Sequence, residues 1–406
     1  LVVNGWKRAG VVLSGTGGHS VLNCRIGTDI AGAAAVKNKF GIAVLSSDNI
    51  IGGASGLANV ISGNSDAGIT IEKPAGGAVP LRNRVMGNRI GTSADGTQAL
   101  ESQMRGVSLL NAADSRIGEA GQGNLISGNT VAGIMLAGGE CAANRVEANL
   151  IGTSVTGSAA VENLNGVVLR FNAHDNIIGG ETVSAANVIS GNGAAGVRIQ
   201  EVAYANQIMG NLIGLNQSGS ARLPNNEGIF ILDGLANRIG GSTAAKRNVI
   251  SGNLHRGITL SAGSSRDVPE QRLCNGTVIE GNWIGLSRDG LHTVPNGFNF
   301  PASDAGIALL ALAQNTLIGG SGGGQGNVIS GNTGFGIGVG VSRAFTNSVL
   351  GNRIGVLPDG VTPAGNTGSG VGVAISSQSQ IVVGGSAAGA GKRLAFKWGR
   401  GVGIHN

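Results

Sequence analysis

Short runs of alternating apolar and polar residues recur along the whole chain. Each run begins with a glycine that is followed by apolar, any and apolar residues, as in GVVL at Gly10, GITI at Gly68 and GIFI at Gly228. Successive side chains of a β-strand point to opposite faces, so this two-residue period predicts short strands that each bury one face. No stretch keeps the 3.6-residue period of a helix, and we therefore predict an all-β chain.

The runs divide the chain into repeats. Cutting at each such glycine gives twelve units and a final VGI at Val402. Each unit carries three short alternating runs separated by Gly and Asn, which predicts three strands joined by turns. Repeats of this length predict a solenoid in which each unit pairs with its neighbours, and parallel crossovers are nearly always right-handed. The predicted fold is a right-handed parallel β-helix of about twelve coils with three strands per coil.

One six-residue phrase recurs in every second unit. NVISGN begins at Asn59, Asn187, Asn248 and Asn327, and NLISGN begins at Asn124. We expect its last Asn, together with the Asn of GN or AN in the alternate units, to stack at one corner of the coil as a hydrogen-bonded ladder. Asn tolerates the left-handed backbone that a sharp corner requires, and the preceding Gly lets the chain turn. In the first unit, Cys24 occupies the ladder position.

The repeats cover the chain from end to end, so we predict one domain, residues 1–406. The chain opens without Met and stops at GVGIHN in the middle of a unit, and we interpret it as a fragment of a longer array. One unit, residues 257–305, has 49 residues against 31 to 38 in its siblings. This difference predicts a long loop insertion within that unit.

Composition narrows the possible partners. The net charge of +6 is spread over 406 residues without a run of four Lys or Arg, which does not favour nucleic acid. No segment approaches the ~20 apolar residues that a membrane span needs, so membrane insertion is not expected. Cys and His are not clustered, so neither a metal site nor another cofactor is predicted.

The repeated units resemble those of right-handed parallel β-helix proteins of the pectin-lyase-like superfamily. They are most similar to the repeat regions of large secreted or surface proteins of bacteria. The residues that carry the resemblance are Asn49–Asn64, Asn176–Asn192, Asn237–Asn253 and Asn315–Asn332, with GNRIGT at Gly87. The resemblance implies a secreted or cell-surface location and a carbohydrate polymer as partner. The superfamily includes lyases, polygalacturonases, epimerases and non-catalytic adhesins, and a shared fold does not choose among them.

The chain departs from the pectinolytic members at the residues that matter for their chemistry. It has no Asp-Asp pair, its 22 acidic residues are dispersed, and it lacks calcium-binding nonapeptides. Two function classes therefore remain open. The first is a module that binds extracellular polysaccharide, and the alternative is a glycoside hydrolase with a carboxylate pair on the outer face of the helix.

The long insertion is where we expect a site, because solenoid insertions project from one face and loops carry function. Aromatic rings beside carboxylates suit a sugar. The predicted catalytic residues are Glu270, Glu280 and Asp289, and the predicted substrate-binding residues are Trp283, His292, Phe298, Phe300, Asp267 and Asp304. The competing interpretation is a loop without function that Phe298 and Phe300 fasten to the helix.

Two weaker acidic patterns also need an interpretation. Asp-Gly recurs at Asp95, Asp289 and Asp359, which is typical of turns. Glu101 and Glu162 occupy equivalent positions in alternate units. They would lie two coils apart, ~9.6 Å at the spacing of paired strands, which is near the separation found in inverting glycosidases.

Overall fold

The computed structural model describes residues 1–54, 56–100, 103–263, 273–298, 304–340, 346–374, 381–391, 393–394 and 401–405. The chain divides into two compact units. Unit 1 consists of Leu1–Gly179 and Val183–Ala194, and unit 2 of Gly180–Thr182 and Ala195–Asn406. The single domain expected from the repeats stays a prediction.

Unit 1 contains three parallel sheets, which we call A, B and C. Sheet A consists of Val2–Val3, Arg25–Ile26, Val60–Ile61, Arg89–Ile90, Leu125–Ile126, Leu150–Ile151 and Val188–Ile189. Sheet B consists of Ala9–Leu13, Phe40–Val44, Ala67–Glu72, Arg105–Leu110, Ala132–Ala137 and Asn165–Arg170. Sheet C consists of Ser20–Val21, Ile50–Gly52, Arg84–Met86, Arg116–Ile117, Arg145–Val146 and Ile177–Gly179, and a 3-10 turn spans Val183–Ala185.

Unit 2 repeats the three sheets. Sheet A consists of Leu212–Ile213, Val249–Ile250, Trp283–Ile284, Val328–Ile329, Arg353–Ile354 and Arg393–Leu394. Sheet B consists of Ala195–Gln200, Glu227–Leu232, Ile258–Ser261, Ala305–Leu309, Phe335–Val339, Val371–Ala374 and Val402–His405. Sheet C consists of Gln207–Met209, Arg238–Gly240, Val278–Glu280, Leu317–Gly319, Asn347–Leu350 and Ile381–Val383. Cys274–Asn275 pairs with Ala313–Gln314, and a 3-10 turn spans Ala244–Lys246.

Each coil contributes one strand to each sheet, in the order B, C, A, and strands of successive coils pair in parallel. In unit 1 Ile69 lies opposite Val107, and Val107 lies opposite Ile134. These inward side chains are fully buried, so like residues stack on like residues along the core. The predicted parallel β-helix is confirmed, and the glycine-led runs are its sheet B strands.

The Asn ladder is confirmed, but the expectation that both Asn sets share one corner is wrong. The coil has three corners, and NVISGN spans a whole sheet A strand with one Asn at each end. In unit 1 the corner before sheet A carries Asn59, Asn88, Asn124, Asn149 and Asn187, whose side-chain amides are joined at 2.9–3.0 Å. The corner after sheet A carries Asn38, Asn64, Gln103, Asn129, Asn163 and Asn192 at 2.8–3.1 Å.

A third ladder, which the repeat phrases did not predict, lies between sheets B and C. In unit 1 it contains Asn49, Asn83, Ser115, Asn144 and Asn176. Cys24 keeps the place predicted for it at the corner before sheet A, where its backbone N–H donates to Asn59 Oδ1 at 2.9 Å.

The ladder Asn residues of NVISGN do not take the left-handed backbone that we expected. The left-handed residue is the one before: Gly63 precedes Asn64 with φ 72°, and Gly87 precedes Asn88 with φ 66°. The reason is that two neighbouring residues make the stack and the turn separately. The Asn needs a geometry that points its amide along the stack, and the residue without a Cβ makes the turn.

Candidate functional site

Polar residues cluster where sheet B strands begin in unit 2. In several coils the residue before the glycine of the repeat is Ala, as at Ala195 and Ala305. In three consecutive coils of unit 2, Glu227 begins one strand, His255 and Arg256 come before the next, and Asp304 stands directly before Ala305 in the third. Paired strands lie ~4.8 Å apart, so the coil stacks these side chains beside one another.

The cluster is joined by direct contacts. The Thr259 hydroxyl donates to Glu227 Oε2 at 2.8 Å, and Arg256 Nη1 lies 3.5 Å from Glu227 Oε1. The imidazole Nδ1 of His255 lies 3.6 Å from Asp304 Oδ1. Both carboxyl groups are largely withdrawn from water, with 19% of the Glu227 side chain exposed and 1% of that of Asp304. We call Glu227, His255, Arg256, Thr259 and Asp304 the acid–base cluster.

Burial shifts the pKa of one carboxyl group in the acid–base cluster. The pKa of Glu227 is raised, chiefly because burial disfavours the carboxylate. The Thr259 hydroxyl, Arg256 and His255 act in the opposite direction, and the charge of Asp304 adds to the increase. Two carboxyl groups in different surroundings are the usual basis for a proton donor and an acceptor within one site.

An exposed aromatic ring lies beside the cluster. Phe298 is 55% exposed, and its ring packs against the Arg222 guanidinium at 4.2 Å. The adjacent Gly297 lies against Asp304, since a Cβ at position 297 would come within 2.9 Å of the Asp304 Cβ. The chain therefore passes against Asp304 at Gly297, one residue before the exposed ring of Phe298.

The other predicted site residues lie on different sheets. Glu280 ends a sheet C strand, is 3% exposed and forms an ion pair with Arg238 of the preceding coil. Trp283 begins a sheet A strand, where the Arg247 guanidinium lies 4.2 Å from its ring. Gly290 covers the same ring, because a Cβ at that position would lie 2.7 Å from it.

Asp289 and His292 belong to the turn that follows Trp283. Asp289 Oδ1 accepts hydrogen bonds from the Ser287 hydroxyl and from the Leu291 amide at 2.9 Å. The pKa of Asp289 is lowered, first by the Ser287 hydrogen bond. Asp95 has the same contacts with Ser93 and with the Thr97 amide, which agrees with the turn interpretation of the Asp-Gly pairs.

Four predicted residues lie outside the described part of the chain. They are Asp267, Glu270, Phe300 and, from the weaker acidic pair, Glu101. Of the described candidates, Asp304 lies in the acid–base cluster and Phe298 follows Gly297, which lies against Asp304. Glu280, Trp283, Asp289 and His292 lie elsewhere. The sequence interpretation missed Glu227, Arg256 and Thr259. For two of them the sequence offered a signal, because a charged residue stands directly before the repeat glycine in two successive coils, as Glu227 before Gly228 and Arg256 before Gly257.

In the described part of the chain, no three His, Cys, Asp or Glu side chains come close enough to hold a metal ion. Within the same residues, no helix is long and apolar enough to cross a membrane.

Comparison with known proteins gives a distant similarity of fold. No family model matches the sequence, and no curated protein matches it. Among solved structures, the chain is similar to the periplasmic alginate epimerase AlgG, at 13% identity and a TM-score of 0.38. The similarity covers 76% of this chain and 70% of that one. No inference about function rests on a similarity of this size.

Proposed function

We propose that this chain binds an extended carbohydrate polymer on its outer surface, at the acid–base cluster and Phe298 of unit 2. The observation that supports the proposal is an exposed aromatic ring that packs on the Arg222 guanidinium, one residue after Gly297, which lies against Asp304 of the acid–base cluster. The apolar face of a sugar ring stacks on Phe298. The carboxyl oxygens accept hydrogen bonds from hydroxyl groups, and Arg256 donates them.

A site that extends over several coils suits a long ligand better than a small one. The cluster extends over three consecutive coils, and a linear polymer contacts several of them at once. Such polymers lie outside cells, and a secreted or cell-surface location is part of the proposal. The substrate-binding roles expected for Trp283, His292, Asp267 and Phe300 stay predictions.

Glycoside hydrolysis is the second candidate, and the raised pKa of Glu227 favours it. Glu227 and Asp304 belong to coils two apart, which corresponds to ~9.6 Å at the spacing of paired strands. Inverting glycosidases hold their carboxyl groups roughly 6.5–9.5 Å apart. In this mechanism Glu227 donates a proton to the glycosidic oxygen, while Asp304 activates a water on the opposite side of the sugar. Glu270, Glu280 and Asp289 are the alternative members of the pair.

The test is a panel of plant and bacterial glycans, scored for binding and for new reducing ends or unsaturated products. The variants are Phe298→Ala, Glu227→Gln and Asp304→Asn, with Glu140→Gln in unit 1 as the matched control because its side chain is exposed. We expect Phe298→Ala to weaken binding roughly tenfold, the usual contribution of an aromatic contact. If the chain is a hydrolase, Glu227→Gln removes cleavage and leaves binding in place.

Intact thermal transitions show that the variants are folded. Unchanged binding and cleavage in all three site variants would overturn the proposal, as would an equal loss in Glu140→Gln. Trp283→Ala and Glu280→Ala, examined in parallel, report whether the rest of the insertion contributes.

A further inference from the structure

Positive charge is concentrated in the first coils of unit 1. Residues 1–47 contain five basic side chains, Lys7, Arg8, Arg25, Lys37 and Lys39, and one acidic side chain, Asp29. Five minus one gives +4 in this segment, against +6 for the whole chain. The sequence shows no run of basic residues here, because four of them fall in two stretches about one coil apart, Lys7 with Arg8 and Lys37 with Lys39.

The fold places the two stretches side by side. The Lys39 amide donates to the Trp6 carbonyl at 3.2 Å and to the Arg8 carbonyl at 2.9 Å. The Trp6 amide donates to Asn38 Oδ1 at 3.0 Å. Lys7, Arg8, Lys37 and Lys39 are all exposed, so four cations lie on two neighbouring segments. We call these four residues and Trp6 the basic surface.

The charges of the basic surface are not neutralised nearby. Among the described residues, none of its four cations forms an ion pair with a carboxylate. Asp66, in the next coil, is paired with Arg105. Asp29 accepts hydrogen bonds from the Ala33 and Ala34 amides at 2.8 and 3.2 Å. The basic surface therefore retains an unmatched positive field that attracts anions.

An aromatic ring completes the surface. Trp6 is 60% exposed, and exposure of an indole of this size at the edge of a cationic patch is typical of ligand contact. Phe40 is half-buried, and its ring carries the Lys39 ammonium at 5.2 Å from the centroid. Phe40 therefore holds the Lys39 ammonium in place, and Trp6 is the exposed ring of the surface.

We propose that the basic surface binds an acidic polysaccharide, separately from the acid–base cluster in unit 2. The cations attract carboxylate or sulfate groups of the polymer, and a sugar ring stacks on Trp6. Single-stranded nucleic acid is less well matched, because it needs an aromatic platform for successive bases and the basic surface has one free ring. The surface anchors the chain to an acidic matrix whether or not the unit 2 site is occupied.

The probes are dextran, carboxymethyl dextran and dextran sulfate, which share one backbone and differ in charge. A single-stranded oligonucleotide and vesicles of anionic lipid complete the set. The variants are Lys37→Gln/Lys39→Gln and Trp6→Ala. The matched control is Arg116→Gln/Arg288→Gln, which removes two exposed cations from other surfaces. Thermal transitions establish that each variant is folded.

We expect both charged dextrans to bind and neutral dextran to bind weakly or not at all. At low ionic strength the Lys37→Gln/Lys39→Gln variant should bind roughly tenfold more weakly, and the difference should shrink at about 0.5 M salt, where charges are screened. The preference between carboxymethyl dextran and dextran sulfate identifies the anionic group. Equal losses in the control pair, no loss in either variant, or tighter binding of the oligonucleotide or vesicles would overturn the proposal. Loss of the salt-sensitive binding in Lys37→Gln/Lys39→Gln, with the binding that depends on Phe298 retained, separates this surface from the function proposed for unit 2.

Discussion

At the residue scale, the ladder amides carry much of the specificity of the fold. A buried amide that keeps its partners contributes about 1 kcal/mol per hydrogen bond, whereas an unpaired one costs about 1–3 kcal/mol. Asn149 is 1% exposed and illustrates the arrangement. Its Oδ1 accepts from the Asn124 amide groups at 2.9 and 3.0 Å, and its Nδ2 donates to the Ile117 carbonyl at 2.7 Å. A slipped coil would break several such bonds, so the ladders fix the register.

Replacing Asn149 with Ala should lower the free energy of unfolding by roughly 1–3 kcal/mol, because neighbouring polar groups lose their partner inside the coil. Asn226→Ala is the matched control, since Asn226 is half-buried and its side chain makes no hydrogen bond with the described residues. Urea denaturation of both variants measures the difference. Similar losses from the two substitutions would contradict the role assigned to the ladder.

At the element scale, the place of a residue along its strand decides what it can do. The residue before the repeat glycine is the start of a sheet B strand, as at Ala67 and Ala132. Alanine there packs against neighbouring coils. The same position in unit 2 holds Glu227, which pairs with Ala195 across the sheet and reaches Thr259 of the next coil. A polar residue at this position therefore reaches side chains of a neighbouring coil, as Arg105 of unit 1 also does through its ion pair with Asp66.

The raised pKa of Glu227 gives a pH-dependent prediction. A carboxyl group with a higher pKa in the folded chain contributes stability below its unfolded pKa of about 4.3. That contribution is lost as pH rises through the folded pKa. Glu227→Gln cannot ionise, so its melting temperature relative to the parent chain should rise as the pH increases above about 4.3. Thermal unfolding at several pH values tests this, and a relative melting temperature that falls with pH would show that the carboxylate is stabilising instead.

At the scale of the whole molecule, each unit has a complete set of sheets. Unit 1 holds strands of all three sheets, three ladders and its own buried column of Ile and Val. In a solenoid each coil depends chiefly on its neighbours, so this unit contains most of the contacts that its own coils need. Stability is then a property of stacked coils and not of one central core.

We therefore expect the fragment of residues 1–194 to fold on its own. Its far-UV circular dichroism should be that of a β-sheet protein, and its thermal transition should be cooperative, although its cut edge favours association. Light scattering alongside the spectrum separates folding from aggregation. An unfolded fragment would indicate that residues 1–406 form one cooperative domain, as the repeats first suggested.

The sequence by itself determined the fold, the strands and the repeat boundaries. The reason is that these properties are local: a two-residue apolar period makes a strand wherever it occurs, and the glycine at Gly68 or Gly228 marks the same place in every coil. Twelve units carry the same pattern of strands and turns, so an error in interpreting one unit does not change the predicted fold. The sequence also located Phe298 and Asp304, because an unusually long unit stands out by its length.

Only the tertiary structure decided which side chains meet. Contacts between coils join residues that are 24 to 48 positions apart, and variable loop lengths hide this spacing from a reader of the sequence. The Asn residues that the sequence assigned to one ladder therefore lie at different corners of the coil. In the same way, Glu227, Arg256 and Asp304 come from three coils and lie in one cluster. Conversely, one sequence repeat contains Glu280, Trp283 and Asp304, but these residues belong to different parts of the coil. Glu280 ends a sheet C strand, Trp283 begins a sheet A strand and Asp304 stands directly before a sheet B strand. The basic surface formed in the same way, since stacking of coils, and not order along the chain, brings Arg8 beside Lys39.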